Sequence, residues 1–169
     1  MLSIRLEKPE DIELIYRLNQ LAFDRTDEAE LVDGLRDAGA LSYSLVAFYD
    51  SELVGHLAFS PVTIHHNETV YQAIGLAPIA VKPTHQRQGI GTKLFEYWLN
   101  NFDIEQHNLV VVLGDPKFYL SLGFLQADTY RIKWEIDVPP EAFMVRELQT
   151  GALSEIKGIV KYHPQFDEL

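Results

Sequence analysis

Residues 85–99 read HQRQGIGTKLFEYWL, with Gly89 and Gly91 one residue apart just ahead of an amphipathic stretch. Ile90, Leu94, Phe95, Trp98, Leu99 and Phe102 recur there at the spacing of one helical side. The run before it, VYQAIGLAPIAVKP, is rich in β-branched and apolar residues and reads as a long strand. A strand that passes into a helix through so bare a backbone restricts the chain more than any other feature. It commits the middle of the sequence to a strand–turn–helix unit, and the fold to one that mixes helices and strands.

The flanking sequence extends that unit in both directions. Residues 2–6 read as a short strand, and KPEDIELIYRLNQLAF places Ile12, Ile15, Leu18 and Leu21 or Ala22 at helical spacing behind an acidic first turn. A second helix is expected from the capping candidate Thr26 to about residue 37, ending near Gly39. SYSLVAFYDSELVGHLAFSPVTI gives two β-rich runs around Asp50 and Ser51, a hairpin signal, and HHNET makes the next turn. LVVVL at 109–113 reads as a strand buried on both faces. In DPKFYLSLGF, Asp115 is the N-cap, Pro116 the first helical residue and Gly123 the stop of a short helix. From 129 onward YRIKWEI, FMVREL and GIVKYH alternate with Pro and Gly turns, a β-rich close. The class is therefore α/β or α+β, with one mixed central sheet and helices on its faces. With no repeat or linker-like tract, residues 1–169 are expected to form a single domain.

Composition removes several function classes. The formal net charge of −11 lacks the basic footprint that gathers nucleic acid, and it suits a cationic substrate. The chain has no cysteine, so disulfides, thiolate nucleophiles and cysteine-bound zinc drop out. Its 6 histidines show no HExxH or other paired-ligand spacing, and no metal is expected. The opening MLSIRLEKPED carries no apolar signal core and no apolar run is long enough for a bilayer, so no membrane association and a cytoplasmic location are expected. The sequon NET at 67–69 and the half-matching retrieval ending FDEL both presuppose secretion and are set aside.

The glycines admit two readings on local pattern alone. A helix beginning after Gln88, Gly89, Ile90 and Gly91 offers unpaired N–H groups and a positive dipole end to a phosphate, with Arg87 alongside as a fork of donors. The same residues also make a ligand-free strand-to-helix turn. A P-loop is excluded by the order Gly91, Thr92, Lys93, and a dinucleotide fingerprint would need glycine where Leu94 stands.

Gln86, Gly89 and Gly91 resemble the QxxGxG signature of the GNAT superfamily of N-acetyltransferases, placed as in that family between a long strand and a helix. Tyr119 in YLSLGF resembles the family's second signature, YxxxGF, and LGDPKFY and KYHP are similar to its YhbS-like branch. The resemblance implies a mostly antiparallel sheet, splayed at the cofactor strand, with helices on both faces. It implies acetyl-CoA as cosubstrate, its pyrophosphate held by Gln86, Arg87, Gln88, Gly89, Ile90, Gly91 and Thr92. It further implies that the backbone of Ile79, Ala80 and Val81 binds the pantetheine and polarises the thioester. Members of the family commonly pair, so a homodimer is compatible with it.

The chemistry asks for an acid, a base and an acceptor pocket. Tyr119 is the candidate acid, because a phenol near pKa 10 can protonate a departing thiolate if well positioned. An alkylamine of pKa about 10.4 is neutral in only about one molecule in 2,500 at pH 7, so a proton must first be removed. Many family members carry a Glu for this on the signature strand, but GLAPIA at 75–80 has no carboxylate. His56, Asp115 and His66 remain as acceptors, each also readable as a strand histidine, a helix cap and a turn residue. The acidic run from Asp27 to Asp37 either draws a cationic amine or is a solvated face, and Phe23, Tyr43 and Phe118 line an acceptor pocket or the core. The expected function is direct acetyl transfer to a primary amine of a small molecule or peptide. The alternatives are a non-catalytic acyl-CoA-binding module on the same fold and a generic nucleotide-phosphate binder.

Overall fold

Asp50 adopts φ 56° at the tip of a hairpin, and the strands on either side of it organise the N-terminal half. The computed structural model describes residues 1–168; the FDEL ending reaches Leu169, which lies outside the described residues. In chain order the elements are β1 (Leu2–Leu6), α1 (Ile12–Phe23), α2 (Asp27–Asp37), β2 (Tyr43–Tyr49), β3 (Glu52–His66), β4 (Thr69–Val81) and α3 (Ile90–Asn101). There follow β5 (Leu109–Leu113), α4 (Pro116–Ser121), β6 (Leu125–Gln126), β7 (Ile132–Trp134), β8 (Phe143–Glu147), α5 (Ala152–Glu155) and β9 (Gly158–Tyr162). Helices and a mixed sheet bear out the α/β expectation.

The chain divides into two compact units, and β3 and β4 contribute residues to both. The first comprises Met1–Ser60, Ala77–Phe102 and the segment from Pro164 on. Here β1 pairs antiparallel with β2, from Leu2↔Tyr49 to Leu6↔Leu45, and β2 pairs antiparallel with β3, with a register shift between Ala47 and Phe48. Ile15 and Leu18 of α1 and Val32 of α2 pack with Val46, Leu53 and Ala80. Periodicity left Leu21 or Ala22 open as the last core position of α1; Leu21 is 57% exposed and Ala22 packs against this cluster. On α3, Leu94, Phe95 and Trp98 are fully buried, and each such side chain stabilises the fold by roughly 2 kcal/mol. Trp98 stacks on Phe59 at 4.1 Å between ring centroids. Gly55 lets α3 come close, since a Cβ there would meet Ile90 Cγ2 at 2.8 Å.

The second unit comprises Pro61–Leu76 and Asp103–His163. Its parallel ladder joins Ile74 and Gly75 of β4 to Val110 and Val111 of β5. β5 pairs antiparallel with β8, β8 with the short β6, and β9 lies antiparallel to β3 and parallel to β7. Val62, Ile64, Val111, Ile132, Phe143, Val145 and Val160 form its core. The C-terminal β-rich reading is narrowed here: of YRIKWEI only Ile132–Trp134 is strand, and Ala127–Tyr130 is a 3-10 turn closed by Arg131 at φ 62°.

One local expectation changes. Thr26 stands at the N-cap of α2 but its side chain makes no capping hydrogen bond; with φ −95° and ψ −9° its backbone already lies in the helical region. β4 continues unbroken through Pro78, whose bond to Ala77 is cis. Among the described residues, no helix is long and apolar enough to cross a membrane.

Candidate active site

The end of β4 from Ala77, the turn and α3 lie in the first unit. β4 ends at Val81, and the Lys82 N–H donates to Val54 O at 2.8 Å, which ties the exit of the strand to β3. Within this unit β4 is an edge strand, so one rim of Ile79, Ala80 and Val81 faces away from β3. Gln86 donates from Nε2 to Val81 O at 3.1 Å, folding the turn back on the strand end. Arg87 follows at φ 63° and Gly89 at φ 83°. A left-handed arginine costs on the order of 1 kcal/mol and marks a backbone shaped by something other than local preference.

α3 begins at Ile90, two residues earlier than a start beyond Gly91 would place it, with Gly89 as its N-cap. Helix geometry leaves the N–H groups of Ile90, Gly91 and Thr92 without intrahelical acceptors, and the first helical bond runs from Lys93 N to Gly89 O at 3.0 Å. Gly89 has no side chain to cap them. A Cβ on it would meet nothing within 4 Å, so the space in front of these donors is open. Gln86, Arg87, Gln88 and Gly89 are all exposed. Among the described residues Arg87 and Lys93 enter no ion pair, whereas Lys82 is held by Glu52 at 2.5 Å. Free N–H groups, a positive helix end and unpaired cations around an open space are what a pyrophosphate requires.

Tyr119 lies in the second unit, on α4. Asp115 caps that helix, accepting from Lys117 N at 3.0 Å, and Gly123 at φ 87° ends it, as the sequence indicates. The Tyr119 ring is 5% exposed and sits edge-on to Phe118 and Phe124 at 5.0 and 5.5 Å. Burial, with a smaller contribution from the Asp115 charge, pushes its phenol well above the usual range. It therefore stays protonated at neutral pH, as a proton donor must. The structure places the other ten candidate residues, Ile79 through Val81 and Gln86 through Thr92, in the first unit.

Of the three candidate bases, His56 proves to be a core residue. It is fully buried on β3; Asn19 Nδ2 lies 3.3 Å from its Nδ1 and Ser44 Oγ lies 2.8 Å from its Nε2. Ser44 donates to the Glu7 carboxylate, and Arg36 grips the same carboxylate through Nε and Nη2 at 2.8 and 2.9 Å. An ionised carboxylate only accepts, so Ser44 points its proton at Glu7 and His56 must donate from Nε2 to Ser44. That ordering assigns His56 the neutral Nε2–H tautomer, with Nδ1 accepting from Asn19. Burial lowers its pKa to about 4. Burial alone would raise the Glu7 carboxyl, but hydrogen bonds from Arg36 and Ser44 outweigh it and hold the group low. Asp115 is committed to its cap, and His66 lies at the end of β3 beside Asn67. Sequence reading missed this network, although Asn19, a polar residue one step from Leu18 on the buried stripe of α1, is the signal that points to it. Among the described residues no three His, Asp or Glu side chains converge as a metal site.

Comparison with known proteins gives consistent results. The profile of the acetyltransferase (GNAT) domain matches residues 3–127. Over 165 residues, 97% of this chain and 98% of the other, the sequence is 34% identical to the uncharacterized N-acetyltransferase YhbS of Escherichia coli K12. The crystal structure of E. coli YhbS in complex with CoA superposes with a TM-score of 0.90, covering 98% of this chain and 92% of that one. A GNAT family acetyltransferase from Brucella melitensis, solved with acetyl-CoA, is 32% identical with a TM-score of 0.80 over 99% of both chains.

Proposed function

Because the chain belongs to the GNAT acetyltransferase family, we propose that it is an N-acetyltransferase that moves an acetyl group from acetyl-CoA directly to a primary amine. The observation that carries this reading is the open space before Gly89, bounded by the free N–H groups of Ile90, Gly91 and Thr92 and by Arg87. In this reading those donors, with Gln86 and Gln88, take the pyrophosphate, and the free rim of Ile79, Ala80 and Val81 takes the pantetheine amide groups. Acetyl-CoA supplies an activated acyl carbon. The acceptor ammonium first loses a proton to solvent; the neutral amine then forms the new N–C bond as the C–S bond breaks, and Tyr119 gives its proton to the leaving sulfur. The amine's surplus proton passes to solvent, which restores Tyr119. The residues from 1 to 169 act as one catalytic domain in the cytoplasm, as a monomer or a homodimer.

Residues 75–80 carry no carboxylate, and both His56 nitrogens are engaged, which favours a second reading, a non-catalytic acyl-CoA-binding module. One experiment separates the two. Acetyl-CoA binding measured by calorimetry, followed by CoA release across an amine panel, gives binding and release under the first reading and binding alone under the second. Absence of acetyl-CoA binding sinks both.

A further inference from the structure

The second unit holds a cavity of about 220 Å³ that no step above uses. Its floor is aromatic and apolar: Ile132 is fully buried, and Trp134 stacks on Phe143 at 6.3 Å with 16° between the rings. Its rim is acidic, with Asp128, Glu135 and Asp137 against the single cation Lys133. Asp128 accepts from Gln126 at 2.7 Å, while Glu135, Asp137 and Lys133 enter no ion pair among the described residues. Two free carboxylates lining a cavity with an indole form a setting that attracts a cation and repels an anion.

The floor is also linked to the proposed acid. Trp134 meets the Tyr162 ring edge-on at 5.7 Å, and Tyr162 is half-buried and packs against Gly75, where a Cβ would come within 2.9 Å of its Cε2. Gly75 is the position where the β4–β5 ladder ends. Burial, with a smaller contribution from Tyr119, raises the Tyr162 phenol above its usual range. The cavity, its floor and Tyr119 thus belong to one unit of the fold.

Resting on the acetyltransferase reading, we propose that this cavity receives the acceptor as an ammonium ion carried on an aromatic or apolar body, with Glu135 and Asp137 holding the charge and Trp134 the body. The volume suits one ring with a short arm. Charge complementarity decides against an acidic or neutral acceptor, and the apolar floor against a polyhydroxylated one.

Calorimetry at pH 7 on the full chain tests this with three probes: tryptamine, indole-3-propionate and ethylamine. Tryptamine is expected to bind at least about tenfold more tightly than either the anion with the same body or the cation without one. The Glu135→Gln, Asp137→Asn double variant should weaken tryptamine about fivefold or more and leave acetyl-CoA affinity within about twofold. Both side chains are exposed, and an unchanged urea midpoint confirms that the variant folds. The proposal is overturned if tryptamine does not bind, if indole-3-propionate binds as well, or if the double variant binds tryptamine unchanged. Acetyl-CoA binding with turnover on amines, insensitive to the double variant, overturns the pocket and leaves the enzyme reading intact. Failure of acetyl-CoA to bind overturns the enzyme reading whatever tryptamine does.

Discussion

A Cβ added to Gly114 would stand 2.5 Å from Cε2 of Tyr119, so the glycine at the end of β5 and the tyrosine of α4 occupy one shared space. Gly114→Ala must therefore push the ring out of place. We expect turnover to fall about tenfold or more, while the Michaelis constant for acetyl-CoA changes less than threefold. Equal loss of binding and turnover would show that Gly114 supports the fold and not the position of the phenol.

Tyr119→Phe removes the hydroxyl and keeps the packing against Phe118 and Phe124. Loss of a general acid costs about 10²- to 10⁴-fold in kcat, with acetyl-CoA affinity preserved. Full turnover by the phenylalanine variant would remove Tyr119 from the mechanism.

Gly89 combines φ 83° with open space around its missing Cβ. Gly89→Val is expected to cost about 1 kcal/mol of stability through backbone strain, a small shift in the urea midpoint. Acetyl-CoA affinity should fall at least tenfold, because the new side chain fills the space before the helix N–H groups. Unchanged affinity measured by calorimetry would move the phosphate site elsewhere.

His56 makes stability depend on acid. Its pKa is about 4 in the folded chain against about 6.5 when unfolded, so between these values the unfolded state binds the extra proton. Stability present above pH 6.5 is therefore lost as pH falls towards 4, by about 3 kcal/mol in total. His56→Gln keeps an amide donor near Ser44 and removes the titration. Urea midpoints across this window should fall steeply for the native chain and more gently for the variant; parallel slopes would refute the assignment.

Asp115→Ala deletes the acceptor for Lys117 N and should destabilise the chain by about 1 kcal/mol. A thermal melt within 1 °C of the parent, a shift too small for about 1 kcal/mol, would show that the cap contributes nothing.

Local pattern alone was enough to read the Asp115–Pro116 helix start, the glycine turn and the elements up to β5, whereas the phosphate role of that turn rested on the family resemblance. Each of these signals is written within one helical turn or one strand, where spacing and backbone preference act directly. Tyr119 became legible because its motif is equally short. The role of His56 was not, because its partners Glu7, Asn19 and Ser44 come from separate elements and only packing brings them together.

The same limit explains the rest. Periodicity gave α1 a buried side but not whether Leu21 or Ala22 completes it, since that depends on what the helix meets. Gly75 and Gly114 look like ordinary strand residues until the Tyr162 and Tyr119 rings arrive against them. The lining of the Trp134 cavity is drawn from residues 128–143, in a β-rich tail whose regular strand shrinks to Ile132–Trp134. Short-range chemistry decided which elements form and where acetyl-CoA is to be sought. Long-range packing decided which histidine is silent and which rings are held still, because these depend on atoms far apart in the chain sharing one volume.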